Sequence, residues 1–257
     1  MLLGKNTART HDACGQFYTL IQVRVPGQHT SASRHPAVQA RRAERRRKLL
    51  AAGIEVFGDR GYANSSVTLL CHAAGLARAQ FYEHFDNRED LLLAVYDMIQ
   101  EQARHAVSQA VAEQADDVVA RAHAAMTAFA ESVGHDPRRA RLVFVEVIGV
   151  SERAEQHRVQ SRELWVRYIA EQIAHTRGAD YCPPGGYTAA ATGFIGALMA
   201  LVHQWSLGSA DMKLTDAVEV LTHFLISLIN PESMGATGAN VVITLLAEGS
   251  ATTSQSR

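Results

Sequence analysis

Residues 78–84 contain four polar side chains whose chemistry is that of nucleic-acid recognition. They are a guanidinium, a carboxamide, a phenol and an imidazole, carried by Arg78, Gln80, Tyr82 and His84. Such groups form hydrogen bonds with base edges and phosphates. They can read DNA only if neighbouring elements hold them together on an exposed surface.

The surrounding residues 65–85 predict two short helices separated by a glycine. Apolar residues at helical spacing form the inner face of the first helix, and Gly75 interrupts the pattern. The second helix turns Phe81 and Phe85 inward, which leaves its polar residues outside. The inner face of the first helix consists of Val67, Leu70, Cys71 and Ala74. This arrangement predicts a helix-turn-helix motif.

A strongly basic helix is predicted immediately before this motif. It begins near Val38, and Gly61 lies where a glycine would end it. A charge run is usually a solvated face, but beside a helix-turn-helix it adds sequence-independent attraction to phosphates. A further helix is predicted to begin at Arg88, after the capping residue Asn87. The basic residues of the first helix are Arg41, Arg42, Arg45, Arg46, Arg47 and Lys48.

Charge is unevenly distributed along the 257-residue chain. Residues 1–48 hold ten Lys and Arg against two acids, whereas the remainder holds 15 basic and 24 acidic residues. A basic end on an acidic body favours a polyanion as the partner of the basic end only. The three cysteines lie far apart and offer neither a disulfide framework nor metal-ligand spacing. We therefore expect a reducing compartment, no metal and no cofactor.

The two ends of the chain are expected to be loosely structured. Residues 1–37 lack steady periodicity and predict a disordered leader, with a basic arm on the phosphate backbone as the alternative. The N-terminus has no apolar run long enough for a secretory signal. The most hydrophobic stretch, residues 187–202, is shorter than the ~20 residues of a membrane span and predicts a buried helix. We expect a soluble, cytoplasmic protein with a mostly flexible tail over residues 231–257.

A longer segment resembles the DNA-binding domain of the tetracycline-repressor (TetR) family of transcription regulators. It reads RRRKLLAAGIEVFGDRGYANSSVTLLCHAAGLARAQFYEHFDNREDLLLAV. The shared points include Leu49-Leu50, Gly61-Tyr62, Ala74-Gly75-Leu76, Phe81-Tyr82 and His84-Phe85. Each piece alone is weak, but their order along the segment is specific. The resemblance implies an all-α fold: a helix-turn-helix DNA-binding domain followed by a helical ligand-binding and dimerisation domain.

The resemblance also implies roles for residues within the motif. Arg78 and Gln80 would face base edges of double-stranded DNA. Ala77 departs from the family pattern because a hydroxyl residue usually caps the recognition helix there. Gln80 has a longer reach than the usual residue and suits bidentate contact with adenine. Phosphate contacts would fall on Ser66, Tyr82, His84 and Arg88.

Alternatives remain for two of these residues. Tyr82 could pack its ring against the first helix, and His84 could be a surface histidine without a partner.

Beyond the motif, residues 106–230 predict five further helices separated by glycine and proline punctuation. We therefore expect a DNA-binding domain with its linking helix over residues 38–105, and a ligand-binding and dimerisation domain over residues 106–230.

The last two predicted helices carry faces suited to pairing with a second copy of the chain. Small residues would let another helix approach closely, and large apolar residues extend the face. The family pattern implies a homodimer, and two-fold symmetry predicts a palindromic operator with recognition helices about 34–36 Å apart or a multiple of that. Burial of both faces within one monomer is the alternative. The candidate interface consists of Gly193, Gly196, Ala197, Ala200, Leu201, Trp205, Leu221, Phe224, Leu225 and Leu228.

The resemblance further implies a pocket for a small-molecule effector of unknown identity. Side chains with an apolar body and a polar tip, together with apolar walls, are the candidates for its lining. They are His123, Met126, Phe129, Phe144, Trp165 and Tyr168. Each of these residues could instead belong to the core. The family pattern implies a repressor that the effector releases from its operator.

Two other classes of function compete with this hypothesis. An enzyme could use Glu146 with His135 or His123 as an acid/base pair, but no nucleophile motif, phosphate loop or metal spacing accompanies them. A helical adaptor that has lost DNA binding is favoured by Ala77 and by the acidic body. The leading hypothesis is a ligand-responsive DNA-binding regulator that is not an enzyme.

Overall fold

A computed structural model describes residues 36–115, 117–177, 181–183, 185–208 and 213–229. The all-α prediction is confirmed, since the regular structure of these residues is helical and they contain no strand. The predicted leader, apart from residues 36 and 37, and the predicted tail lie outside the described residues. The helices are α1 (Pro36–Arg60), α2 (Val67–Ala74), α3 (Arg78–Tyr82), α4 (Arg88–Ala112), α5 (Val118–Gly134), α6 (Pro137–Arg141, continued by the π-helical segment Leu142–Glu146), α7 (Glu152–Arg177), α8 (Gly186–Ser206) and α9 (Leu214–Ile229).

Local backbone chemistry shapes the α2–α3 pair. Ser66 caps α2 because its hydroxyl accepts the N–H of Leu69 at 3.2 Å. Gly75 ends α2 with a φ of +63°, the left-handed conformation that favours glycine. Phe81 of α3 and Phe85, which follows this helix, are both buried, so two inward rings hold α3 in place. The predicted helix-turn-helix is confirmed.

Helices α1 and α4 support this motif from behind. Leu49 and Phe57 of α1 share one fully buried core with Phe81 of α3 and with Leu91 and Leu92 of α4. Full burial of such a side chain contributes about 1.5–3 kcal/mol. The orientation of the motif is therefore fixed by apolar packing rather than by its own short helices.

Helix α4 connects the DNA-binding end to the rest of the protein. Asn87 caps it as predicted, accepting the N–H of Asp90 at 2.9 Å. The helix runs without a break to Ala112, through the domain boundary expected at residue 105. A single helix is thus part of both predicted domains.

Helices α5, α7, α8 and α9 form a bundle with α4, and α6 lies between this bundle and α1. The approach of α6 to α1 is close at Gly58, where an added Cβ atom would lie 2.4 Å from the Cβ of Arg138. A larger residue at position 58 would therefore push α6 away from α1. Through this contact the body of the protein touches the DNA-binding end a second time.

Helix α8 contains the hydrophobic stretch that was predicted to be a buried helix. It is the one helix of the described residues that is long and apolar enough to cross a membrane, judged by length and composition only. Within its apolar window, 33% is buried inside the protein. Phe194 and Leu198 face the core, whereas Gly193 and Gly196 are exposed. The prediction holds for the inner face of α8 and not for its outer face.

Candidate DNA-binding surface and ligand cavity

Helix α3 presents a paired arginine and tyrosine to solvent. Arg78 Nη2 donates to the Tyr82 hydroxyl at 3.4 Å, and both side chains are exposed. The Tyr82 ring meets the buried Phe81 ring edge-on, with centroids 5.4 Å apart. Phe81 thus holds the Tyr82 ring in place, and the Tyr82 hydroxyl lies next to Arg78. The pair presents a guanidinium fork and a phenol to solvent.

Gln80 is engaged by its own helix. Ala77, which precedes α3, has no side chain that could cap it. Gln80 Oε1 instead accepts the backbone N–H of Ala77 at 3.0 Å, so the side chain reaches back to the start of the helix. The missing hydroxyl at position 77 is therefore partly compensated. This contact also restricts how the Gln80 amide can approach a base.

His84 does not fit the phosphate contact that was predicted for it. The residue is half-buried, and its Nε2 atom is buried without a hydrogen-bond partner. Burial lowers the pKa of His84, and the nearby guanidinium of Arg42 lowers it further. A neutral imidazole with a buried Nε2 packs against Phe85, at a centroid distance of 6.4 Å, rather than presenting a charge to DNA.

Arg88 serves the protein's own backbone. Its Nη1 donates to the carbonyl oxygens of Tyr62 at 2.9 Å and Ser65 at 2.6 Å, and the guanidinium lies 4.3 Å from the centroid of the Tyr62 ring. Nη1 is therefore engaged by the protein's own backbone, and the phosphate contact of Arg88 stays a prediction. This arginine holds together the turn between α1 and α2, which leads into the cap at Ser66.

The basic stretch of α1 is tied to the end of α3. Arg45 forms an ion pair of 2.9 Å with Glu83, and Arg42 donates to the Glu83 carbonyl at 3.3 Å. Arg46 lies 4.7 Å from the Phe85 ring centroid. Glu83 was not among the predicted residues, because no local pattern shows that it meets α1. These contacts place positive charge directly beside the recognition helix.

A cavity of about 150 Å³ lies within the C-terminal bundle. Five of the six residues predicted to line a pocket are in its wall, namely Met126, Phe129, Phe144, Trp165 and Tyr168. The sixth, His123, is exposed on the outer side of α5 and is not part of the wall. The prediction for His123 was wrong because an alanine-rich helix gives little indication of which face is inward.

Three polar side chains of the cavity wall bond to one another. Trp165 Nε1 donates to Gln100 Oε1 at 3.0 Å, and Gln100 Nε2 donates to the Tyr96 hydroxyl at 3.0 Å. Phe129 meets the Trp165 ring edge-on with centroids 5.8 Å apart. Burial raises the pKa of Tyr168, so its phenol remains neutral at physiological pH. The interior therefore suits an uncharged, apolar group.

Three arginines, which the sequence reading did not identify, also line the cavity. Arg121 Nη2 donates to Gln172 at 3.4 Å, and Arg158 pairs with Glu155 at 2.6 Å. Arg162 is exposed. An apolar interior next to these guanidinium groups suits an amphiphile with an anionic head.

Glu146 connects the cavity wall to the DNA-binding end. Its Oε2 accepts the backbone N–H of Tyr62 at 2.8 Å, and its Oε1 accepts Arg141 Nε at 2.9 Å. The same π-helical segment contributes Phe144 to the cavity wall, and the Phe144 carbonyl accepts Nδ1–H of His203 at 2.6 Å. Glu146 is therefore committed to a backbone contact between domains and forms no acid/base pair with His135 or His123.

The outer faces of α8 and α9 are open in the single chain. Gly193, Gly196, Ala200 and Phe224 are exposed, and a Cβ atom added at either glycine would meet nothing within 4 Å. Ala197, Leu201, Trp205 and Leu228 are half-buried. The interface prediction was wrong for Leu221 and Leu225, which are buried in their own protomer at 2% and 8% exposure. Both faces of α9 are apolar, so its periodicity could not select the outer one.

The described residues contain no group of three or more His, Cys, Asp or Glu side chains that could hold a metal ion. Cys71 is buried, whereas Cys182 is exposed. Burial raises the pKa of the Cys71 thiol, which keeps it protonated. Among the described residues, the candidate functional sites are thus the exposed polar surface of α3 and the cavity.

The fold and these two sites define a helix-turn-helix regulator with a cavity-bearing helical body. Residues 49–95 match the model of the family described as "Bacterial regulatory proteins, tetR family". Residues 49–95 therefore form a TetR-family DNA-binding domain, as the sequence predicted. Its similar proteins are transcription regulators.

One similar protein is the HTH-type transcriptional activator FasR of Mycolicibacterium smegmatis. It is 36% identical over 103 residues, which is 40% of this chain and 47% of FasR. The match thus spans about half of that relative's length.

Two similar structures extend over nearly all of their own chains. The fatty acid degradation regulator FadR from Bacillus halodurans has a TM-score of 0.64 at 17% identity, covering 76% of this chain and 96% of that one. FadR from Bacillus subtilis in complex with stearoyl-CoA has a TM-score of 0.62 at 17% identity, covering 72% and 97%. At these identities the likeness shows the fold alone, over about three quarters of this chain.

Proposed function

We propose that this TetR-family regulator binds a palindromic operator as a homodimer and releases it when an amphiphilic ligand enters the cavity. The observation that carries the proposal is the pairing of an exposed reading helix beside basic α1 with an apolar, arginine-lined cavity. Arg78 and Tyr82 supply the groove contacts, and the arginines of α1 add attraction to phosphates. The protein would act in the cytoplasm, where the DNA is accessible.

The open faces of α8 and α9 support the homodimer. Two copies that meet at Gly193, Gly196 and Ala200 could bring their helices into close contact, with Phe224 at the edge. Two-fold symmetry would then align two α3 helices with two half-sites of a palindrome. Gly196→Glu should yield monomers in analytical ultracentrifugation and lose operator affinity. A variant that remains dimeric would move the interface to another surface.

The chemistry of the cavity supports a long-chain acyl thioester, such as an acyl-CoA, as the ligand class. The apolar wall would hold the acyl chain, while Arg158 and Arg162 would meet anionic groups of the head. The similar FadR structure from Bacillus subtilis is a complex with stearoyl-CoA, which points in the same direction. Isothermal titration with stearoyl-CoA and with free coenzyme A would separate chain recognition from head recognition.

Glu146 supports a physical route from the cavity to the DNA. Occupation of the cavity would displace Phe144, and the π-helical segment would carry Glu146 with it. Glu146 holds the Tyr62 N–H, while Arg88 holds the Tyr62 carbonyl from the other side, so a shift of Glu146 would move the α1–α2 turn. A ligand changes DNA affinity only through such a difference between two states of the protein.

The proposal is tested by titrating the purified protein against the DNA upstream of its own gene at several salt concentrations. A symmetric footprint whose affinity falls as salt rises is expected. Absence of a footprint, or binding indifferent to both sequence and salt, would favour the adaptor alternative. Because the similar FasR is an activator, a promoter-reporter assay with and without the regulator distinguishes activation from the repression that we propose.

A further inference from the structure

We propose that Gln80 contacts its target base with the donor Nε2 alone. It therefore selects a base that presents hydrogen-bond acceptors, guanine first and thymine second. This inference rests on the proposed DNA binding and concerns the base preference of the same surface. It replaces the adenine preference that the residue type suggests.

The position of the Gln80 carbonyl carries this inference. Oε1 lies 3.0 Å from the backbone nitrogen of Ala77. A backbone N–H is a donor, so the side-chain atom that meets it must be the oxygen, which leaves the nitrogen at the other end of the amide. Among the described residues this nitrogen, Nε2, has no protein partner.

The contact has a structural role that opposes its disruption. Helix α3 spans Arg78–Tyr82, and Ala77 cannot cap it with a side chain. In a capping box, the side chain at the third helical position accepts the backbone N–H of the residue before the helix, and that residue's side chain accepts a backbone N–H in return. Here Gln80 makes the first of these contacts, and Ala77 cannot make the second. Releasing Oε1 to read a base would leave the start of the recognition helix without this bond.

The remaining donor discriminates among bases in the major groove. Bidentate adenine recognition needs an amide oxygen to accept from N6 and an amide nitrogen to donate to N7. Guanine presents two adjacent acceptors, N7 and O6, and thymine presents O4. Adenine and cytosine each place an amino group near the donors of Nε2, which is unfavourable. A held carbonyl therefore favours guanine or thymine.

The matched substitutions are Gln80→Glu and Gln80→Met. Glutamate keeps an oxygen for the Ala77 N–H but replaces the donor by an acceptor, whereas methionine has a similar shape and loses both. Thermal unfolding of the full chain should show Gln80→Glu within experimental error of the parent, and Gln80→Met lower by about 2–4 °C. Equal losses for both variants would show that the capping contact does not exist and would overturn the inference.

Base preference is measured by selection from a DNA pool that is randomised at each operator position. The parent should enrich guanine or thymine at one position per half-site, and Gln80→Glu should shift that position toward cytosine by about tenfold. Glutamate also repels phosphates, which weakens binding to every sequence. Base preference is therefore compared between the variants at protein concentrations that bind the same fraction of the DNA pool. Arg78→Ala is the control and should relax a different position.

The outcomes separate this inference from the function on which it rests. Enrichment of adenine by the parent at the position that responds to Gln80→Glu would overturn the inference and leave DNA recognition intact. The same holds if no position responds to Gln80→Glu while the Arg78→Ala control behaves as expected. Failure of the parent to select any sequence would overturn both proposals.

Discussion

The DNA-facing end and the cavity-bearing body differ in the sequence distance over which their sites are assembled. At the DNA-facing end, the bonds that orient Ser66, Gln80 and Arg78 join residues three or four positions apart. The longer contacts there, from Arg88 to Tyr62 and from Arg45 to Glu83, span 26 and 38 positions. In the body, Trp165 bonds to Gln100 across 65 positions, and His203 bonds to Phe144 across 59. A site built by local bonds can be recognised in a sequence, whereas a cavity appears only after distant helices have packed.

The same difference separates two kinds of vulnerability. The recognition surface depends on a few polar contacts around short helices, so single substitutions at those contacts should change DNA binding sharply. The cavity depends on many apolar contacts, so ligand binding should tolerate single substitutions in the wall until a larger side chain fills the cavity. Glu146 is one of the residues through which the two regions meet.

The largest single effect is expected at Arg88, whose guanidinium holds the turn before α2. Arg88→Ala removes charge-assisted bonds to the Tyr62 and Ser65 carbonyls. Such bonds contribute about 1.5–3 kcal/mol each, so the free energy of unfolding should fall by at least about 3 kcal/mol in urea denaturation. DNA affinity should fall for every sequence because the motif itself is loosened.

Arg78→Ala is the control for this prediction. Arg78 bonds to the exposed Tyr82 hydroxyl, so its removal should leave stability within about 0.5 kcal/mol while weakening DNA binding. If both variants were equally stable, Arg88 would not have the structural role that its contacts indicate.

The next effect concerns the cavity and should leave the DNA-facing end unchanged. Ala125→Trp places a large ring in the cavity wall and should weaken binding of stearoyl-CoA at least about tenfold, measured by isothermal titration. His123→Trp places the same ring on the exposed side of α5 and should have no such effect. A comparable loss in both variants would place the ligand elsewhere.

A smaller effect is expected where the two regions meet. Glu146→Gln can still accept the Tyr62 N–H, but its amide nitrogen would face the Arg141 donor, so the contact should persist in a weaker form. Ligand affinity and DNA affinity measured separately should change little. The factor by which ligand lowers DNA affinity, commonly about 5–150 in allosteric proteins, should shrink. An unchanged factor would mean that coupling follows another path.

The smallest effect is a pH dependence at His84. Burial, followed by Arg42, lowers its pKa in the folded protein; Glu83 opposes this, and Arg46 and Arg45 reinforce it. The unfolded chain then binds the proton at higher pH than the folded chain does. The stability that His84 contributes is thus complete above about pH 6.5 and is lost as the pH falls toward its folded-state pKa. Urea denaturation of His84→Gln should show a shallower decline below pH 6.5 than the parent shows.

What the sequence could predict follows the same division between local and distant contacts. Ser66, Gly75 and Asn87 act through neighbouring backbone groups, so the break at Gly75 and the cap at Asn87 were predicted correctly. Glu83 and Glu146 find their partners in other helices, and no local pattern reveals such pairings. Leu221 and Leu225 were placed on the wrong face of α9 because Val220 and Phe224 make its other face apolar as well.

Ligand control of DNA binding is the central claim, and one experiment tests it most directly. The operator footprint of the full-length protein would be recorded with increasing stearoyl-CoA, using free coenzyme A as the matched control. We predict a symmetric footprint that disappears with stearoyl-CoA and persists with coenzyme A alone. A footprint that stearoyl-CoA leaves unchanged, although the cavity is shown by titration to be occupied, would contradict the claim.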